Sequence, residues 1–297
     1  MSAPGPGTGA SAAVEAFDAQ RPLLFGIAYR MLGSVMDAQD MVQEAFLRWQ
    51  QAAAREVRSP KAYLSTVVTR LCIDQLRSAR AQRETYIGPW LPEPLISEET
   101  DMDEGLARDD SLSMAFLALL ERLNPVERAA FLLRDVFDYE YAEVARIIDK
   151  SEVNCRQMVR RARRHVAERR RRFEATPEQV AQMSQRFLAA AANGDLAGLL
   201  ELLAEDVTLW SDGGGKVASA VNPIEGASKV ARFFIGLAKK FPREFTLRAA
   251  RVNGRPGFII YDRERPYGVI SAELTEGRIT AFHIVVNPDK LQRVPAL

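Results

Sequence analysis

The sequence predicts a multidomain chain in which two all-α blocks precede one α+β block, and three observations carry that expectation. Apolar residues recur at helical spacing from Val14 to Tyr86 and again from about Leu123 to Val166. Gly88-Pro89-Trp90-Leu91-Pro92-Glu93-Pro94 and an acidic stretch separate the two blocks. After Thr176 the pattern changes to capped helices followed by short strands with turn dipeptides between them. At 297 residues the chain has room for two or three domains. The expected boundaries are a disordered arm at 1–13, a helical block at 14–86, a linker at 87–111, a second helical block at 112–173 and the α+β block at 177–297.

Met1 to Ala13 is rich in Ala, Gly, Pro and Ser and lacks the basic and apolar regions of a signal peptide. In the first block, Phe17, Leu24, Ile27, Ala28 and Met31 define one helical stripe, and Asp37 to Trp49 reads as a second amphipathic helix. Ser59-Pro60 then places a cap and a proline at a helix start, with Tyr63, Val67, Leu71 and Leu76 as the expected buried stripe. That helix ends in a basic tail, Asp74 to Arg83. The prolines of the next segment exclude a helix and disfavour a central strand, so it reads as a linker in which Trp90 needs somewhere to dock.

In the second block, Leu123 to Arg128 opens a helix, Tyr141 to Ile148 forms another, Asp149-Lys150-Ser151 turns, and a third begins at Glu152. This is the order of a helix-turn-helix. Cys155, Val159, Ala162 and Val166 share one stripe of the third helix, which leaves Gln157, Arg160, Arg161 and Arg164 facing outward. Arginine can bond bidentately to guanine and glutamine to adenine, while Arg156 and Arg163 are placed for phosphates. Nine arginines lie between Arg156 and Arg172 against the single acid Glu168, whereas a merely solvated helix interleaves the two signs.

Net charge is only +1 because the signs are segregated. Glu93 to Asp110 carries eight acids and one base, and could compete for the basic face or act as a plain soluble spacer. Cys72 and Cys155 are lone cysteines without metal-site spacing, so no metal or cofactor is expected and a reducing cytoplasm fits. No apolar run reaches membrane-spanning length.

The last block opens with a helix from Thr176-Pro177-Glu178 to Asn193 and another from Asn193-Gly194-Asp195 to Leu203. Strands are expected at Val207–Trp210, Phe245–Val252, Phe258–Tyr261, Tyr267–Leu274 and Ile279–Val286, with hairpins at Asn253-Gly254 and Glu276-Gly277. The expected plan is two or three helices against a curved antiparallel sheet.

Asp37 to Trp49 resembles the polymerase-binding helix of region 2 in bacterial sigma factors, and Leu123 to Arg164 resembles region 4. The block from about Glu178 resembles a SnoaL-like, NTF2-like cone. Three short signatures sharpen the likeness: Trp90-Leu91-Pro92-Glu93-Pro94, Asp212-Gly213-Gly214-Gly215-Lys216 and Asn287-Pro288-Asp289-Lys290-Leu291. As an ordered set they resemble extracytoplasmic-function (ECF) sigma factors of the ECF41 (SigJ-like) type. The resemblance implies a non-enzymatic promoter-specificity subunit that partners core RNA polymerase and promoter DNA. It assigns Asp40, Gln43, Glu44, Leu47 and Trp49 to polymerase, although Leu47 and Trp49 also fit a core. It assigns Asp74, Arg77, Arg80 and Arg83 to the minus-10 element, with Tyr86 as the nearest aromatic for base stacking. It assigns Arg156, Gln157, Arg160, Arg161 and Arg164 to the minus-35 element. A free linker of about 24 residues would reach ~80 Å, more than the ~34 Å of one duplex turn.

The three signatures are expected to dock the last domain onto the others and regulate them in cis, with a small unidentified ligand as a candidate partner. The alternative is a DNA-binding regulator whose last domain senses a ligand or is an enzyme. Its raw material would be Trp210, Asp212, Asp262 and His283, and a phosphate-binding role for the glycine loop is opposed by the absence of a following helix.

Overall fold

The computed structural model describes residues 6–52, 57–83, 86–97, 110–167, 177–240 and 245–297. Two compact units divide the chain: Met1–Glu84 with Leu120–Val166, and Thr85–Leu119 with Ala167–Leu297. The acidic residues 98–109 lie outside the described residues, as does the cap at Thr176.

The first unit opens with α1 (Pro6–Asp18), α2 (Arg21–Leu32), α3 (Val35–Ala52) and α4 (Pro60–Arg83). Gly33 ends α2 in the left-handed region at φ 65°, its N–H donating to the Tyr29 carbonyl. Ser34 Oγ then accepts from the Asp37 amide, and Ser59 Oγ from the Ala62 amide, so a serine opens both α3 and α4. The expected disordered arm is helical from Pro6, because its alanines favour a helix and tertiary contacts hold its end. Phe17 packs on Phe46 at 4.8 Å, and the Trp49 indole N–H donates to the Ala13 carbonyl at 2.7 Å. The buried stripe of α4 is Leu64, Val68, Cys72 and Leu76; Leu76 is as expected, and the other three each lie one residue beyond Tyr63, Val67 and Leu71. Tyr63 instead flanks the helix and lies against Trp49, ring centroids 5.9 Å apart.

After α5 (Met114–Leu120) the chain re-enters this unit as α6 (Pro125–Asp135), α7 (Tyr141–Ile148) and α8 (Glu152–Ala167). The Asn124 side chain caps α6 by accepting from the Glu127 amide, and Asp149 closes α7 at φ 54°. The two helical blocks pack into one unit rather than standing as separate domains. Ser65 Oγ and Tyr139 Oη are 2.6 Å apart, and Arg70 donates to the Ile147 and Arg146 carbonyls that end α7. Arg128, 2 % exposed, donates to the Met31 carbonyl and pairs with Glu121 at 2.6 Å.

The second unit is α+β. Its helices α9 (Pro177–Asn193), α10 (Leu196–Leu202) and α11 (Ala227–Lys240) lie against seven strands: β1 (Ile96–Ser97), β2 (Leu203–Asp212), β3 (Ile224–Glu225), β4 (Phe245–Val252), β5 (Arg255–Asp262), β6 (Arg265–Thr275) and β7 (Arg278–Val285). Their spatial order is β1-β4-β5-β6-β7-β2-β3. The sheet is mixed, not antiparallel, since β2 runs parallel to β7. A parallel pair needs a crossover, and α11, whose position the sequence reading did not fix, supplies it between β2 and the β4–β7 meander. Both expected hairpin dipeptides have positive φ at each residue: Asn253 and Gly254, Glu276 and Gly277.

One face of the sheet buries Leu209, Ile260, Ile270, Phe282 and Ile284 beneath the helices. The other buries Val252, Ile259, Tyr261, Val269 and Val285 beneath Leu91, Met114, Leu291 and Val294. The expected linker is therefore part of this domain. Leu91, Pro92, Glu93 and Pro94 are all buried, and Ile96 pairs with Val252 beyond the prolines at the sheet edge. Asn253 fixes the join: its side chain accepts from the Leu95 amide and donates to the Leu112 carbonyl. The reach of a free 24-residue chain is thus not available, because residues 86–97 are built into the sheet domain.

Trp49→Ala should cost the first unit about 3–5 kcal/mol, as expected for truncating a buried indole. Denaturant unfolding of the full chain checks this, and a loss confined to polymerase affinity would contradict the core placement.

Candidate functional site

Asp212 lies at the end of β2 with 0 % exposure. A buried carboxylate needs donors, and Tyr86 together with the three signature segments supplies them. Oδ1 accepts from Tyr86 Oη at 2.5 Å and the Gly214 amide at 3.0 Å. Oδ2 accepts from the Leu91 amide and from Lys290 Nζ, each at 2.8 Å. The Asp212 carbonyl also accepts from the amides of Val286 and Asn287.

Lys290 closes the other side. Its ammonium donates to the Leu91 carbonyl and stands over the Trp90 ring at 4.1 Å and the Tyr86 ring at 5.2 Å. Asn287 Nδ2 donates to Tyr86 Oη at 2.9 Å. Burial, then the Asp212 carboxylate, push the Tyr86 phenol far above its ordinary range, so it stays a donor. Tyr86 is thus held in the second unit, and the candidate stacking aromatic for a melted base is occupied. Lys216 pairs with Asp289 at 2.5 Å on the exposed rim. Gly214, at φ +60°, brings its backbone so near Asn287 that an added Cβ would sit 2.3 Å from Nδ2. This close approach requires a glycine at 214, in the loop expected to dock rather than to bind phosphate.

The enzymatic raw material does not converge on a cavity. Asp212 is saturated, Asp262 is exposed, and His283 is buried with its ring stacked on Trp210 at 5.1 Å. Burial depresses His283 to about 4 and raises Glu273 to about 8, the latter against Arg255 and an Ala115 backbone N–H. Glu273 Oε1 and His283 Nδ1 face each other at 3.9 Å, neither with a hydrogen-bond partner among the described residues. Sequence reasoning missed Glu273, since only the β6–β7 register brings it beside His283.

In the first unit, Asp40, Gln43 and Leu47 are exposed along α3 and Glu44 is half-buried, pairing with Arg48 at 2.8 Å. Trp49 is 4 % exposed and does not join that surface. Asp74 and Arg77 are exposed and 3.4 Å apart, while the side chains of Arg80 and Arg83 lie outside the described ones. On α8 the stripe Cys155, Val159, Ala162 and Val166 is buried, and Arg156, Gln157, Arg160, Arg161 and Arg164 are exposed. Acids on neighbouring elements hold several arginines. Arg161 pairs with Glu127 at 2.5 Å, Arg163 pairs in two-pronged fashion with Asp135, and Arg156 meets Glu152 and the Tyr141 ring.

The described residues thus combine a helix-turn-helix with a basic outer face, a four-helix block and a sheet domain. The chain matches Sigma-70 region 2 over residues 16–82, Sigma-70 region 4 over 113–166 and a SnoaL-like domain over 184–286. It is 38% identical to the ECF RNA polymerase sigma factor SigJ of Mycobacterium tuberculosis, over 95% of this chain and 94% of that one. It is 32% identical to the probable ECF RNA polymerase sigma factor SigI of the same species, over 95% of each. The crystal structure of M. tuberculosis SigJ superposes with a TM-score of 0.76 at 35% identity, covering 93% of this chain and 97% of that one. The chain belongs to the ECF RNA polymerase sigma factors, a family that is not enzymatic. No helix among the described residues is long and apolar enough to cross a membrane.

Removing one member of a buried ion pair strands the other, so Asp212→Ala should destabilise the second unit by about 3–5 kcal/mol. Chemical denaturation of the full chain measures it. A protonated Glu273 means the folded state binds more protons than the unfolded state between about pH 4.5 and 8. Its contribution to stability therefore falls as pH rises through that window. Unfolding midpoints across the window should fall less steeply for Glu273→Gln than for the parent; parallel profiles would contradict a buried neutral carboxyl.

Proposed function

We propose that this chain is a cytoplasmic ECF sigma factor whose activity is set in cis by its SnoaL-like domain. The carrying observation is that the Leu91 amide and carbonyl, in the segment joining region 2 to region 4, are both bonded to the C-terminal domain, through Asp212 and Lys290. A sigma factor places two DNA readers on one promoter, so whatever grips their connecting segment can govern their spacing.

The face of α3 bearing Asp40, Gln43, Glu44 and Leu47 meets core polymerase, and Trp49 supports it from within. The α4 end, with Asp74, Arg77, Arg80 and Arg83, engages the minus-10 strand, where basic side chains hold the phosphates of opened DNA. Arg156, Gln157, Arg160, Arg161 and Arg164 meet the minus-35 duplex, and for Arg161 this means exchanging Glu127 for DNA. In the first unit α4 is bonded to the carbonyls ending α7, so the two readers lie side by side. Reading two elements more than a duplex turn apart, ~34 Å, requires them to separate. The compact unit is the resting state in this reading.

Transcript from a promoter library, with core polymerase and the full chain, tests both halves. Arg160→Ala should weaken minus-35 recognition by about 1–3 kcal/mol and relax base preference there. Trp90→Ala, which removes a wall of the Lys290 cage, should change transcript level while leaving promoter preference intact. Unchanged transcript from a folded Trp90→Ala protein would sink cis control, and absence of any promoter-specific transcript from the parent would sink the site assignments.

A further inference from the structure

β4 lies next to the end of the sheet, and the end strand β1 covers only its Arg251 and Val252. Before that point Thr246, Leu247, Arg248 and Ala249 are exposed in succession, Leu247 at 48 %. The opposite edge is blunted instead, since β3 is only two residues long. An exposed edge without a proline or a bulge is a template for another strand. We propose that β4 is the interface of a symmetric dimer, in which the β4 strands of two copies of this chain pair antiparallel about a two-fold axis at Leu247.

Backbone direction selects that register. Val252 closes the Asn253-Gly254 hairpin opposite Arg255, so its N–H and C=O point toward β5. Alternation along the strand then turns the same groups of Arg251, Ala249 and Leu247 outward. Arg251 meets Ser97 of β1 there, whereas among the described residues nothing bonds to the outward groups of Leu247 and Ala249. With the axis at Leu247, that residue exchanges both backbone bonds with its copy, and Ala249 lies opposite Phe245 of the second chain. The two Leu247 side chains meet on one face, and on the other Arg248 lies opposite Thr246. An axis at Arg248 would instead set like charges directly opposite each other. Pairing ends at Arg251, where β1 takes over the edge, so the added strand and the connecting segment lie end to end along β4.

Sedimentation equilibrium of the full chain, from low to high micromolar concentration, tests the interface. The average mass should climb from 33.1 kDa toward twice that value. Ala249→Pro removes an outward N–H without touching a bond to β5, and should hold the chain at the monomer mass. Leu247→Lys should do the same by placing like charges at the axis, and serves if the proline variant does not fold. Cys72 and Cys155 are buried, so an added exposed cysteine reports the register. Under mild oxidation Leu247→Cys should give a disulfide-linked dimer, its Cα atoms being ~5.5 Å apart, and Ala249→Cys, roughly 14 Å from its copy, should not. A constant monomer mass, association surviving in a folded variant, or equal cross-linking at both positions would each overturn the proposal. A monomer whose Leu247 amide resists hydrogen exchange would overturn it too, by placing another segment of this chain on the edge.

Discussion

A single buried carboxylate organises the second unit. Moving a charge out of water costs several kcal/mol unless opposite charge and hydrogen bonds replace its hydration. Asp212 is fully covered, so Tyr86, Leu91, Gly214 and Lys290 must all be present for the site to form. Those four residues come from three segments far apart in sequence. Their convergence converts a stretch rich in proline into a buried part of the sheet domain, and seats the C-terminal tail over it.

The same constraint explains why the sheet can bury both faces. Helices cover one side, as an α+β arrangement requires. The other would expose Val252, Ile259, Val269 and Val285 without Leu91, Met114, Leu291 and Val294 above it. Asp212 and Lys290 fix where that cover sits, and the apolar contacts supply the area. The connecting segment is consequently more than a tether, since its conformation belongs to the C-terminal domain's own stability.

Much of the architecture is legible in the sequence where one local signal suffices. Ser59-Pro60 announces α4, Asn253-Gly254 and Glu276-Gly277 announce hairpins, and the stripe from Cys155 to Val166 orients α8. The signal fails where partners are distant. The parallel pairing of β2 with β7 depends on a crossover that no dipeptide encodes. Leu64, Val68 and Cys72 take the places expected of Tyr63, Val67 and Leu71 where Tyr63 lies against Trp49, and the arm before Ala13 becomes helical because Phe17 and Trp49 give it a surface. Trp90, Asp212 and Lys290 stand out as unusual segments, but that one carboxylate joins them is visible only in three dimensions. Tyr86 shows the same limit: as an aromatic beside a basic helix it suggests DNA, and its hydroxyl is spent on Asp212.

Amide hydrogen exchange across residues 89–97 of the full chain tests the central claim most directly. The account requires the Leu91 amide, which donates to Asp212, to exchange as slowly as the amides of β7. Exchange at Leu91 as fast as in an unstructured peptide would contradict it.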